Sequence, residues 1–288
     1  MRLREGDAAM QYVCLNNEIR MPILGYGVGQ LKAGECERCV LDAISVGYRS
    51  IDTAQIYGNE AEVGKALAKC GIPRENLFLT TKVWISGTGY ENARTSIERS
   101  LNNLQTSYLD MVLIHQPFGD YYGAYRAMEE AYTEGWIKVI GVSNFYPERL
   151  IDLCRFTDIP PMVNQVQTNV FQQQRSAIPY MSKYQVQHEA WALAEKTNDI
   201  FQNTVLNEIG AKYRKTAIQI ALRYLVQNNI VVISSATSKE QMQRNFSILD
   251  FQLTAEDMTR IAALDQDGQT AYVHYDPALV ERLTSMVI

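Results

Sequence analysis

Four titratable residues stand where short apolar runs end. Asp52 closes Tyr-Arg-Ser-Ile-Asp, Lys82 closes Leu-Phe-Leu-Thr-Thr-Lys, His115 closes Leu-Asp-Met-Val-Leu-Ile-His, and Tyr57 follows Asp52 by one turn. Singly, each has an ordinary explanation: Asp52 as a helix N-cap, Tyr57 as a loop aromatic, Lys82 as a surface lysine with a buried stem, His115 as a satisfied core histidine. Jointly they are harder to dismiss. A lysine and a histidine that close otherwise apolar strands point into one mouth, and a cation buried there needs a counter-ion, which Asp52 supplies. A phenol, an imidazole and a paired ammonium in one place are groups that move protons.

To gather them, the chain must bring several strand ends to one face. Runs rich in β-branched residues occur at Ile23 to Gly27, Tyr48 to Asp52, Leu77 to Lys82, Leu109 to His115, Trp136 to Ser143, Met162 to Gln167, Tyr184 to Trp191 and Ile230 to Ser234. Between them lie segments of helical period; Ala93, Ile97 and Leu104 make one face where Glu91, Arg94 and Glu98 make the other. Each interval has room for one crossover helix, and the last for two. Eight β/α units in about 250 residues predict a single (β/α)8 barrel with its site at the C-terminal strand ends. An open, doubly wound sheet would want Gly-x-Gly-x-x-Gly after the first strand, and Gly25-Tyr26-Gly27-Val28-Gly29 lacks that spacing. Tyr12 to Leu15, Asn16-Asn17 and Ile19 to Met21 predict a β-hairpin that plugs the N-terminal mouth. No linker divides the chain, so residues 1–288 read as one domain, with 11–265 its core and 266–288 a C-terminal tail.

A chain of 288 residues with 47% hydrophobic content can hold a large core without metal or disulfides. Its net charge of −5, spread without a basic block, lacks the footprint that nucleic acid or an anionic membrane requires. No apolar run reaches the roughly 18 residues of a membrane span. The start carries Arg2, Arg4, Glu5 and Asp7 and no apolar leader, so a soluble cytoplasmic protein is expected. Five cysteines, an odd number spread along the chain, fit a reducing compartment. Cys36-x-x-Cys39 shares a helical stripe with Val40, Ala43 and Ile44 and has no second pair to complete a zinc site, so packing is its expected role and no metal is called for.

Several longer motifs join these residues: Gly-Tyr-Arg-Ser-Ile-Asp-Thr-Ala (47–54), Tyr-Gly-Asn-Glu (57–60), Thr-Lys-Val-Trp (81–84), Ile-His-Gln-Pro (114–117), Ile-Gly-Val-Ser-Asn-Phe (140–145), Asn-Gln (164–165) and Asn-Phe-x-x-x-Asp-Phe-x-Leu (245–253). In this order, over roughly residues 12 to 265, they make the chain similar to the aldo-keto reductase family, in particular to bacterial reductases of 2,5-diketo-gluconate or methylglyoxal. The resemblance implies an oxidoreductase that uses NADPH or NADH to reduce a small-molecule aldehyde or ketone to the alcohol. It implies Tyr57 as general acid, Lys82 and Asp52 as the groups that tune it, and His115 as the residue that orients the carbonyl. A free tyrosine titrates near ~10, and a unit charge at about 4 Å with an effective dielectric near 20 contributes at most about 4 kcal/mol. Lys82 is therefore expected to draw Tyr57 down toward working pH. Trp84, with Tyr26 and Phe118, would wall the substrate pocket, and Gly29, where many relatives carry a bulky aromatic, would widen it.

By the same resemblance, Ser143, Asn144 and Gln165 hold the nicotinamide carboxamide and Trp191 stacks on its ring. Two segments depart from the family pattern. The expected Trp-x-Pro reads Trp191-Ala192-Leu193, which alters the loop over the pyrophosphate. Where relatives read Ile-Pro-Lys-Ser, then Arg and Asn, this chain reads Ile233-Ser234-Ser235-Ala236, then Gln241 and Asn245. Ser235 and Gln241 forgo two charge-assisted contacts to the 2′-phosphate, worth about 1.5–3 kcal/mol each. Preference for the phosphorylated cofactor is expected to weaken, with Lys239 and Arg244 the nearby cations. The competing reading is a barrel that keeps the fold but serves as a cofactor-sensing or regulatory binding protein.

Overall fold

The computed structural model describes residues 10–191, 197–266 and 274–288. It opens with an antiparallel hairpin, β1 (Tyr12–Cys14) and β2 (Arg20–Pro22), paired in the register Val13↔Met21. Val13, Leu15 and Met21 are buried against the barrel floor, and Asn17 Nδ2 donates to the Lys138 carbonyl at 3.0 Å, so the hairpin plugs the N-terminal mouth as expected.

Eight further strands follow: β3 (Leu24–Gly27), β4 (Ser50–Asp52), β5 (Phe78–Val83), β6 (Leu109–Ile114), β7 (Ile137–Ser143), β8 (Val163–Gln167), β9 (Gln187–Trp191) and β10 (Val231–Ser234). All neighbouring pairs are parallel, and β10 joins both β9 and β3, closing the barrel. These strands are buried on both faces, which is why they read as near-continuous apolar runs rather than alternating ones. Closure leaves no edge strand in the barrel and puts every strand's C-terminus on one rim.

The crossovers are α1 (Ala33–Val46), α2 (Glu60–Lys69), α3 (Tyr90–Asn103), α4 (Tyr121–Thr133), α5 (Pro147–Phe156) and α6 (Ile178–Lys183). Then come α7 (Thr197–Gln202), α8 (Thr204–Tyr213) and α9 (Ala217–Gln227) before β10, with α10 (Lys239–Phe246), α11 (Ala255–Ala262) and α12 (Pro277–Thr284) after it. Local signals set their starts: Asp120 accepts from Gly123 N–H, Asn203 from Leu206 N–H, and Thr216 with Gln219 forms a reciprocal capping box. Cys36 and Cys39 lie fully buried on the inner stripe of α1, where burial pushes the Cys36 thiol up to about 12. Packing accounts for the pair.

Two expectations about elements need correction. The interval before β10 holds three helices rather than two, because Asn203 and Thr216 each begin a new one. The run from Tyr184 is extended only from Gln187: Tyr184 caps α6, and Gln185 turns with φ 57°, which interrupts an extended backbone. Among the described residues, no helix is long and apolar enough to cross a membrane.

Candidate active site

The four titratable residues meet on the C-terminal rim. Asp52 is the last residue of β4, Lys82 the penultimate residue of β5, and His115 follows β6 directly, its N–H bound to the Val83 carbonyl at 3.0 Å. Tyr57 ends a 3-10 turn, Gln55–Tyr57, and Gly58 leaves that turn at φ 65°, a conformation open to glycine. The loop is clamped at both ends: Thr53 Oγ1 donates to Asn59 Oδ1 at 2.9 Å, Asn59 Nδ2 to the Val28 carbonyl at 3.0 Å, and Gln55 Oε1 accepts from Trp84 N–H at 3.1 Å. Tyr57 is thereby placed by strands on either side of it.

Lys82 is fully buried, and its ammonium donates to Asp52 Oδ1 and, at 3.1 Å, to the Thr53 carbonyl. Burial is the largest influence and disfavours the charged ammonium, yet Asp52, with Tyr57 and Glu189 adding to it, outweighs burial and holds Lys82 above its ordinary value. The ammonium lies 5.3 Å from the centre of the Tyr57 ring. His115 stands edge-on to Tyr57, centroids 5.6 Å apart, and to Trp84 at 5.0 Å. Burial, and then the Lys82 charge, hold His115 well below 6.5, so it is neutral at physiological pH.

Tyr57 does not move in the expected direction. Burial raises it above 10 and outweighs the pull of Lys82, while Asp52 pushes it up further. A lone charge on Lys82 would lower Tyr57. With a carboxylate against it, Tyr57 meets the field of an ion pair, which falls off faster than that of a single cation.

Asp52, Tyr57, Trp84 and His115 line a cleft of about 510 Å³, with Lys82 buried behind them. Ser143, Asn144, Gln165 and Trp191 line it beside them. Asn144, at φ 64°, ties three strands together: Nδ2 donates to the His115 carbonyl at 3.0 Å and to Ser143 Oγ at 3.1 Å, while Oδ1 accepts from Trp191 Nε1 at 3.0 Å. A larger cavity of about 880 Å³ lies at the barrel's other end, between the hairpin, α6 and α9. It holds none of the four residues.

A family model described as the Aldo/keto reductase family matches residues 24–266. The chain belongs to that family. A glyoxal reductase of Bacillus subtilis (strain 168) is 40% identical to it, over 88% of this chain and 93% of that protein. The crystal structure of MGS-M4, an aldo-keto reductase enzyme from a Medee basin deep-sea metagenome library, superposes with a TM-score of 0.89 at 41% identity, covering 92% of this chain and 98% of that one. The Bombyx mori aldo-keto reductase in complex with NADP gives 0.84 at 29% identity, covering 89% and 93%. Membership in the aldo/keto reductases indicates NAD(P)H-dependent carbonyl reduction.

Against this aldo/keto reductase frame, the remaining expected residues divide. Trp84 lines the cleft, its indole donating to the Met286 carbonyl at 2.7 Å. Phe118 is one layer back, stacked on His274, whose Nε2 pairs with Gln116 Oε1 at 2.8 Å. Tyr26 is not at the wall. It alternates with Gly25 and Gly27 on β3 and so faces the helices, with its hydroxyl bound to the Ala236 carbonyl at 2.6 Å and its ring against Tyr48.

Ser235 reaches the cleft, whereas Ala236 contributes the carbonyl held by Tyr26. Gln241 and Asn245 lie on α10, Gln241 exposed with its N–H on Ser238 Oγ. Lys239 and Arg244 are exposed on the same helix. The altered loop after Trp191, including Ala192 and Leu193, lies outside the described residues.

Some residues in and near the cleft carried no signal in the sequence. Arg38 on α1 reaches the Thr237 carbonyl at 3.3 Å, beside the expected phosphate segment. His274 and Met286 come from the tail, which shares no period with the strands. Glu189, buried behind Gln165, had a usable signal. It is two residues before Trp191 on one strand, hence on the same face.

Proposed function

We propose that this aldo/keto reductase reduces a small aldehyde or ketone to the alcohol, with Tyr57 as proton donor. The observation that carries this reading is the meeting of Asp52, Tyr57 and neutral His115 at one wall of a cleft, with Lys82 buried behind them on Asp52. Ser143, Asn144, Gln165 and Trp191 fit a nicotinamide: hydroxyl and amide groups suit its carboxamide, and an indole suits its ring. The bound cofactor supplies the hydride that the carbonyl carbon accepts.

Each residue then has a task. His115, neutral and therefore able to keep one N–H and one bare nitrogen, donates to the carbonyl oxygen and polarises it. Tyr57, held above 10 by burial, is fully protonated at neutral pH and gives its proton to that oxygen as negative charge develops there. Lys82 favours the tyrosinate that remains, and Asp52 keeps Lys82 charged. Trp84 supplies apolar wall, and the glyoxal reductase among the relatives points to small dicarbonyls as the first substrates to try.

The test is oxidation of NADPH and of NADH, followed with glyoxal and simple aldehydes. We expect turnover, and a fall of about 10² or more in Tyr57→Phe with cofactor binding retained. Cofactor binding without turnover on any carbonyl would favour the binding-protein reading instead.

A further inference from the structure

We propose that Glu189 is a positioning residue, which fixes the side-chain amide of Gln165 so that its carbonyl oxygen is left for the cofactor's carboxamide NH2. This rests on the reading of Gln165 as a nicotinamide contact. Gln165 Nε2 has two hydrogens, and both are used: one donates to Asp52 Oδ2 at 2.9 Å and the other to Glu189 Oε2 at 2.9 Å. Beside the ionised Asp52 an amide oxygen would meet an acceptor with no proton to give, so the nitrogen faces Asp52 Oδ2, and Glu189 Oε2 takes its second N–H. The amide is therefore locked in one orientation. Oε1 is the polar atom Gln165 has left, and it can only accept. With Asp52 as sole anchor, the amide would keep one free N–H and lose half of what orients it.

Glu189 is fully buried at the centre of the barrel, with its other oxygen, Oε1, lacking any partner. The charged groups that face it are Asp52 from β4 and Lys82 from β5. Its strand neighbours supply the neutral Gln165 on β8 and the apolar Val231 on β10. Lys82 is already matched by Asp52, so a second carboxylate would be an uncompensated charge. Burial, and then Asp52, push Glu189 up to about 8. At neutral pH it remains a neutral acid that still accepts from Gln165. Above about 8 its ionisation adds negative charge to the Lys82–Asp52 pair, opposes formation of the tyrosinate, and slows reduction.

Two variants separate these effects. Glu189→Gln keeps an acceptor for Gln165 but removes the titration; Glu189→Leu removes both. Loss of one oriented hydrogen bond predicts a rise of about tenfold in the Kd for NADPH in Glu189→Leu, recovered in Glu189→Gln. Infrared titration of the parent should show a protonated carboxyl band that disappears near pH 8 and is absent from Glu189→Gln, together with loss of the alkaline limb of kcat in that variant. Glu189→Leu binding NADPH as tightly as the parent, or a carboxyl band and alkaline limb unchanged in Glu189→Gln, overturns the proposal. Binding and infrared readouts need no turnover, so a protein that binds cofactor but reduces nothing sinks the proposed function and leaves this inference standing.

Discussion

Gly29 lies against the ring of Tyr57: a Cβ placed on it would stand 2.9 Å from Cζ and 3.2 Å from the hydroxyl oxygen. The space freed by the missing side chain is thus shared with the Tyr57 ring, the proposed proton donor, and the expected wider pocket is partly filled. Gly29 is exposed, so a methyl group there displaces the phenol rather than the backbone. Misplacement of a reacting group by about 1 Å can cost on the order of 10²-fold. Gly29→Ala should lower kcat by one to two orders of magnitude with the thermal midpoint almost unchanged. Wild-type turnover in that variant would show that the ring has room to move without penalty.

Lys82 and Asp52 have side chains 1% and 5% exposed, so neither charge can turn to water when the other is removed. Lys82→Met should abolish turnover and cost about 3–5 kcal/mol of stability, because Asp52 is left buried and unpaired. Adding Asp52→Asn should return part of that stability without returning activity. Urea unfolding of the two variants decides the matter, and equal stability of single and double variants would contradict it.

Among the described residues, a cofactor 2′-phosphate would have few fixed cations to meet. Ser235 reaches the cleft but carries no charge, and Lys239 and Arg244 are exposed on α10. Arg38, which contacts Thr237 and pairs with Asp42, is a further cation beside that segment. We expect NADPH to be favoured over NADH by no more than about tenfold, a gap below about 1.4 kcal/mol. Ser235→Lys with Gln241→Arg should tighten NADPH selectively. Kd values for both cofactors at one salt concentration are the measurement; a parent that already prefers NADPH a hundredfold has phosphate contacts outside this set, and Arg38→Ala is then the variant to compare.

His188 faces the helix layer, its Nε2 paired with Thr168 Oγ1 at 2.8 Å and its Nδ1 buried without a partner. Burial lowers it to about 3. Below the unfolded value near ~6.5 the unfolded chain binds a proton that the folded one refuses, so stability is complete above that pH and declines as pH falls, by about 1.4 kcal/mol per unit. Between pH 7 and pH 5 the parent should lose about 2 kcal/mol more than His188→Gln. Parallel pH profiles of unfolding free energy for the two proteins would refute this.

How much of this could be read from residues alone depends on the range of the interactions. The barrel was legible because β-branched runs and helical stripes are local and repeat, and because eight such units at this length have few ways to bury all their apolar faces. Asp52, Lys82 and His115 were legible for a related reason: a charge at the end of an apolar strand conflicts with its surroundings unless a site accounts for it. Glu189 was just as anomalous and shares a face with Trp191 two positions on, although its strand begins at Gln187 after the turn at Gln185 rather than at Tyr184.

By itself the sequence determined the strands' order, most of the helices and most of the residues that could do chemistry, since propensity, periodicity and capping act over a few positions. Tertiary structure alone decided who meets whom and with what charge. Tyr26 faces the helices because of strand alternation, Phe118 lies behind His274, and Met286 reaches Trp84 across 202 positions of chain. It also decided the sign of the Tyr57 shift. Desolvation and the partner on Lys82 depend on what closes around the phenol, and no spacing along the chain encodes a dielectric.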